Sequence, residues 1–478
     1  MKSEPMKKVL MLCTGGTISM LHKVSGDPSS PLVPKSWKEI QDNFPALKAL
    51  EKRFTVDTKE MELIDSSDMN PVYWTELAKN IGENYFCYDG FVVLHGTDTM
   101  AYTASALSFM LDNLDKPVVI TGSQLPLAKP RTDAAQNLVT ALMIAASDGV
   151  PVIPEVCILF DKVLLRGNRS RKISSNGFMG FDSPNCLPLA TIGEHIIVNK
   201  KLVRKSPTAP FFVSEFLDPN VLPFDIFPGI TAKMIGKIFS IDGLKGTVMK
   251  TYGAGNVPTD SRFLDEIGKA VNANKAIVNV TQCVSGMVEM GLYDASVGLL
   301  RRGVISGLDM TPEAATAKMM FLVGQYGDDI NTVKDQMQRD LRGEQSANVF
   351  NFVYDGEETK NNVAILPTQQ IPNGFDREKL VKANIRFEKI EVDKQAEGNV
   401  DLVIFMNYPK PESTTSEDIP QCLGVIKNIS VDTDFMLECT ENVHRVIAPG
   451  RPIQLSVVAK NGNASWGGLV LSIYTDID

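Results

Sequence analysis

The stretch Phe91-Val92-Val93-Leu94-His95-Gly96-Thr97-Asp98-Thr99-Met100 decides the fold class. Four apolar residues end abruptly in a glycine and four polar residues, and apolar residues then recur at helical spacing across Thr99 to Asn113. An uninterrupted apolar run of this length, with no polar alternation, suits a strand buried on both faces of a parallel sheet. The same signature occurs at Lys8 to Cys13, Pro117 to Thr121 and Val156 to Phe160, with helical spacing at Tyr73 to Asn84 and Thr132 to Ser147. Strand then helix, repeated, is the pattern of a doubly wound α/β domain, placed here at residues 1–206.

From that domain the reading extends toward the carboxyl terminus. Periodicity fades into a stretch rich in proline and phenylalanine at 207–228, which reads as a linker. A second, smaller α/β unit follows at 229–354. Its expected strands are Gly246 to Tyr252, Ala276 to Thr281 and Gly303 to Ser306; its expected helices are Asp260 to Asn272, Tyr293 to Arg301 and Pro312 to Gln325, the last capped by Thr311. Beyond a polar stretch, residues 363–478 carry six short segments with partial period-2 alternation: Asn384 to Val392, Val400 to Asn407, Gln421 to Ile429, Phe435 to Thr440, Pro452 to Lys460 and Gly467 to Tyr474. Strands without helices imply a small all-β sandwich or barrel.

Composition narrows the function classes. The chain has 478 residues, 44% of them hydrophobic and 22% charged, with a formal net charge of -9. Its basic residues are scattered, so no stripe matches a phosphate backbone and nucleic acid is excluded as the expected partner. No stretch approaches the roughly 18 to 20 apolar residues of a membrane span, and the apolar run after the first lysines is short for a signal-peptide core. The expectation is a protein of the cytoplasm. Seven cysteines (13, 87, 157, 186, 283, 422 and 439), widely spaced and mostly inside apolar runs, are expected as reduced, buried thiols. Four histidines without ligand-pair spacing point to no metal.

Two strand ends carry hydroxyls. Lys8 to Cys13 leads into Thr14-Gly15-Gly16-Thr17-Ile18, and Phe91 to Leu94 leads into Thr97-Asp98. Ligands of open α/β sheets bind at the carboxyl edge, where both threonines would lie. Each fragment alone also has a structural reading, as a glycine turn or as a helix cap. A threonine hydroxyl needs a neighbouring base to act as a nucleophile, and an amide substrate also needs donors for its oxyanion. Leu165-Arg166-Gly167-Asn168-Arg169-Ser170-Arg171-Lys172 supplies basic groups after the strand Cys157 to Phe160. Spacing does not choose Lys172 over Arg171, and a solvated basic face is the competing reading.

Six fragments in this order resemble the bacterial-type L-asparaginases, and most closely their cytosolic, type I branch. They are Thr14-Gly15-Gly16-Thr17-Ile18, Asp65-Ser66-Ser67-Asp68-Met69, His95-Gly96-Thr97-Asp98-Thr99-Met100, Arg166-Gly167-Asn168-Arg169 with Lys172, Tyr252-Gly253-Ala254-Gly255-Asn256 and Asp340-Leu341-Arg342-Gly343-Glu344. The resemblance implies hydrolysis of L-asparagine to aspartate and ammonia without a cofactor, by a homodimer or homotetramer. It makes Thr14 the nucleophile and Thr97, Asp98 and Lys172 a second constellation. It assigns Ser66, Ser67 and Asp98 to substrate binding. His22-Lys23-Val24-Ser25-Gly26 lacks the tyrosine that periplasmic members carry, and the matching role passes to Tyr293. Relatives have threonine at Arg171 and arginine at Lys250, so the likeness stops short of an allosteric asparagine pocket beside Cys283. The related amidotransferase subunits carry an N-terminal β domain, for which the strand at Lys8 leaves no room. Residues 363–478 match nothing in the family, and their partner is unknown.

Overall fold

Strands Lys8–Gly15, Gly90–Leu94, Val118–Thr121 and Val156–Phe160 lie side by side and parallel in a computed structural model of the chain. The structure describes residues 6–24, 27, 29–30, 32–34, 50, 52–127, 129–290, 294–372, 375–392, 399–429, 433–448 and 450–477. Thr55–Ile64 extends the parallel set beyond Lys8–Gly15, and Val163–Arg166, Ala190–Ile192 and Ile196–Val198 close the other side antiparallel, giving eight strands among the described residues.

The apolar runs are continuous because each strand feeds two cores. Leu10, Leu12, Phe91 and Val93 pack on one face against Trp74, Leu77 and Leu107; Val9, Met11, Val92 and Leu94 pack on the other against Leu138, Ala141 and Leu142. Successive strand residues point to opposite faces, so burial on both leaves no polar position in between. Helices Pro71–Asn84 and Met100–Met110 supply the first face and Ala134–Ala145 the second. Sequence reading did not name Thr55–Ile64, an edge strand whose side chains are mostly partly or fully exposed and therefore include Asp57, Lys59, Glu60 and Glu62.

The chain leaves Lys8–Gly15 toward Thr55–Ile64 on one side, whereas it leaves Gly90–Leu94 toward Val118–Thr121 on the other. Connections diverging from adjacent parallel strands open a crevice at their carboxyl ends. Thr14 and Thr97 sit at that crevice.

The second sheet is parallel, ordered Val221–Asp225, Gly246–Thr251, Ala276–Thr281, Ile305–Ser306. Its first strand falls within the expected linker 207–228, since Pro223 and Phe224, read as signs of irregularity, are tolerated on an edge strand. Helix Pro312–Tyr326 is capped as expected, the Thr311 hydroxyl accepting from Ala314 N–H at 3.1 Å. Helices Ala232–Phe239 and Ile330–Met337 were not anticipated.

The remaining chain is a sandwich of two antiparallel four-stranded sheets, Asn348–Glu358, Ala464–Thr475, Leu380–Val392, Thr433–Glu438 facing Val363–Ile365, Leu455–Lys460, Val400–Met406, Cys422–Ile429. Phe350, Phe352, Ile385, Phe387, Ile404, Leu455, Leu469, Leu471 and Ile473 fill the space between them. Two expectations are corrected here. The first strand starts at Asn348, so the expected boundary at 354 lies inside it; its inward Phe350, Phe352 and Tyr354 alternate with Asn351, Val353 and Asp355, and the hydrogen-bonded partner is distant in sequence. The unit also contains a short helix, Thr440–Val446.

Candidate active site

Thr14 is buried at the end of its strand, and its hydroxyl donates to the Leu94 carbonyl at 2.8 Å. The following residues must be glycines. Gly15 and Gly16 have φ of 113° and 82°, a region that costs an L side chain strain. A Cβ on Gly16 would stand 2.5 Å from Gly96 N, and one on Gly96 would stand 2.5 Å from the Ser66 hydroxyl. Three loops, carrying Thr14, Ser66 and Thr97, thus interlock at the carboxyl edge of the sheet at distances that only hydrogen at Cα permits.

Lys172 joins this group. Its ammonium donates to Thr97 Oγ1 at 2.7 Å and to Asp98 Oδ1 at 2.6 Å. The lysine side chain is 20% exposed and that of Asp98 is 65% exposed, so the pair lies at the mouth of the crevice. A two-residue ladder, Arg171–Lys172 against Phe181–Asp182, fixes the backbone. Alternation along the ladder sends Lys172 to Thr97 and Arg171 to Glu313, at 3.4 Å.

Ser66 is buried, and its carbonyl accepts from the Thr99 hydroxyl at 2.7 Å. Ser67 is exposed and donates from N–H and hydroxyl to Asp65 Oδ1 at 2.9 and 2.8 Å. Those two bonds, the backbone one foremost, hold the Asp65 carboxyl below its ordinary range. Tyr293 lies outside the described residues.

Beneath the loops, sequence reading passed over a buried relay. Trp74 Nε1 donates to Thr103 Oγ1 at 2.9 Å, Thr103 shares a 2.8 Å hydrogen bond with His95 Nε2, and His95 Nδ1 meets the Gly96 carbonyl at 2.6 Å. A carbonyl only accepts, so Nδ1 carries the proton and Nε2 accepts from Thr103. Full burial lowers the imidazole pKa to about 4, keeping it neutral. The relay fixes the peptide that leads into Thr97. Its sequence signal was the histidine itself, adjacent to the glycine of the motif.

The arginine cluster is not a solvated face. Asn168 and Arg169 are buried, and Arg169 pairs with Asp309 at 2.7 Å while donating to the Glu344 carbonyl and to Ser346. Glu344 in turn forms a fully buried ion pair with Lys318 at 2.6 Å. The segment Asp340 to Glu344 is thus the seat on which Arg166 to Arg169 rest, with Asn168 bonded to the Arg342 carbonyl at 3.0 Å.

Residues 8–204 match the family described as "Asparaginase, N-terminal" and residues 220–337 the "Glutaminase/Asparaginase C-terminal domain". L-asparaginase 1 of Escherichia coli K12 is 41% identical over 346 residues, covering 71% of this chain and 98% of that protein. The chain belongs to the asparaginase family. Among solved structures of the family, L-asparaginase I of Vibrio cholerae superposes with a TM-score of 0.64 at 39% identity, over 71% of this chain and 99% of that one. The mouse 60 kDa lysophospholipase is 44% identical over 283 residues, 59% of this chain and 49% of that protein. The chain therefore spans about half the length of that relative. The second asparaginase family match ends at Met337, before the β sandwich begins at Asn348.

Proposed function

We propose that this protein is an L-asparaginase that cleaves the side-chain amide of L-asparagine through an ester on Thr14. The observation that carries the proposal is the bridge from Lys172 to Thr97 and Asp98, at 2.7 and 2.6 Å, on the same sheet edge as Thr14. Thr14 Oγ1 attacks the amide carbon, its proton passes to the departing nitrogen, and ammonia leaves. Backbone N–H groups of the interlocked loops receive the oxyanion. Water, oriented by Thr97 and Lys172, then attacks the ester carbon. Its proton returns to Thr14, and aspartate leaves.

Asp98 has a double duty. Oδ1 takes Lys172, which leaves Oδ2 for the substrate's α-ammonium group. Ser66 and Ser67 receive the α-carboxylate. The assembly is a homodimer or homotetramer in the cytoplasm, a compartment that suits seven unbridged cysteines, although Cys87 and Cys283 are exposed where buried thiols were expected. Tyr293 is retained as a catalytic candidate.

The test is ammonia release from asparagine, with glutamine as a second amide and a lysophospholipid as an ester control. Asparagine as the preferred substrate supports the proposal; cleavage of the lipid alone contradicts it.

A further inference from the structure

At the opposite, amino-terminal edge of the first sheet lies a cavity of about 90 Å³, walled by Arg166, Arg204, Lys205, Arg342, Glu155 and Asp112 among others. Its charges do not balance. Glu155 is occupied by Arg166, from Nε at 2.5 Å and Nη2 at 3.2 Å, and by the Arg204 backbone N–H at 2.8 Å. Asp112 is occupied by Arg342 Nη2 at 2.6 Å and by Asn113 N–H at 2.9 Å. Arg166 and Arg342 thus neutralise the two lining carboxylates, and Arg204 and Lys205 remain. The Asp340 carboxyl lies within electrostatic reach of Arg204, but burial and the neighbouring Glu344 raise its pKa to about 7, so it offsets at most one of these two positive charges.

The donors of this excess lack good acceptors. Among the described residues, both terminal nitrogens of Arg204 find a hydrogen-bond acceptor only in the Leu341 carbonyl, at 3.5 and 3.4 Å, beyond the usual range of an N–H to oxygen bond. Lys205 is exposed at the mouth and pairs with no carboxylate among the described residues. Arg342 Nε is buried without an acceptor among the described residues. A guanidinium nitrogen left so is costly, and an oxyanion satisfies it bidentately. Helix Met100–Met110 ends nearby and its carboxyl end disfavours an anion, but by roughly half a charge against a net excess of at least one.

We infer that this cavity is a binding site for a small oxyanion of the phosphate class, held by Arg204, Lys205 and Arg342. The site is separate from the asparagine crevice. Both inorganic phosphate and the phosphate group of a metabolite share the required chemistry, and the cavity's exposed mouth at Lys205 admits either.

The experiment is thermal unfolding of the full chain in inorganic phosphate, in glycerol phosphate and in sodium chloride of matched ionic strength. Phosphate is expected to raise Tm by about 3 °C above the chloride value. The rise should vanish in the Arg204→Gln/Lys205→Gln double variant and shrink in Lys205→Gln, a change at an exposed side chain that leaves the fold intact. A rise with inorganic phosphate alone assigns the free ion, and a rise with both assigns the phosphate group. No rise above chloride with either, or an equal rise in both variants, overturns the inference. Should the double variant fail to fold, Lys205→Gln decides alone, with at least a threefold weaker phosphate midpoint expected and an unchanged midpoint overturning the site.

Discussion

At the residue scale, one ammonium group organises the proposed chemistry. Replacing Lys172 by Met removes the donors to Thr97 and Asp98 while keeping the length of the side chain, so kcat is expected to fall about 10³-fold with a smaller change in KM. Steady-state ammonia release checks this; a variant within threefold of the parent contradicts the role. His95 makes a pH prediction. Its folded pKa lies near 4 and its ordinary value near 6.5, so between these values the unfolded chain binds a proton that the folded chain does not. Its stabilising contribution is therefore complete above pH 6.5 and is lost as pH falls toward 4. Urea unfolding at pH 4.5 and 7 should show a smaller difference for His95→Gln than for the parent chain. Much of this site was legible, because Thr14, Thr97 and Asp98 follow strand ends whose apolar runs are unmistakable. The choice of Lys172 over Arg171 was not, because it depends on which side of a two-residue ladder each side chain leaves, and that phase is set by pairing with Phe181 and Asp182.

At the element scale, helix Pro312–Tyr326 carries a lysine in an almost wholly apolar face. Lys318 is fully buried against Glu344, and it also donates to the Met337 carbonyl at 3.1 Å and to that of Arg339. Burial pushes the Glu344 carboxyl up, but Lys318 and the N–H groups of Arg342 and Leu341 outweigh it and hold the group below its ordinary range. Glu344→Gln removes the carboxylate in contact with the lysine, leaving only the neighbouring Asp340 carboxyl to offset it in part, and should destabilise the protein by about 3 kcal/mol. Denaturant midpoints measure the loss, and a shift below about 1 kcal/mol contradicts the structural role. The strands buried on both faces were read to within a residue or two, since burial erases polar positions. The edge strands Thr55–Ile64 and Val221–Asp225 escaped notice, since partial exposure mixes charges and prolines into their pattern.

At the scale of the whole molecule, the β sandwich is bound to the second α/β unit rather than tethered to it. Val353 and Val470 pack with Met290, Leu299 and Leu300, and Arg339 stacks on the Phe350 ring 3.6 Å from its centroid. Arg301 forms an ion pair with the buried Glu388, and its guanidinium lies against Gly467 and Gly468, where a Cβ on Gly468 would approach to 2.9 Å. Arg301→Met strips that carboxylate of its partner. A cost of about 2–4 kcal/mol is expected, seen in calorimetry as a lower Tm or as a separate transition of the sandwich; a single transition at the parent Tm contradicts tight coupling. The sandwich class was legible from period-2 alternation, whereas its docking was not, because Arg301 and Glu388 are far apart in the chain and nothing local links them. The central claim remains a threonine nucleophile acting on asparagine. Its most direct test is ammonia release from L-asparagine by the parent chain beside Thr14→Ala and Thr97→Ala: turnover by the parent and a loss of at least about 10³-fold in each variant is the predicted result, and no turnover by the parent or an undiminished rate in either variant would contradict it.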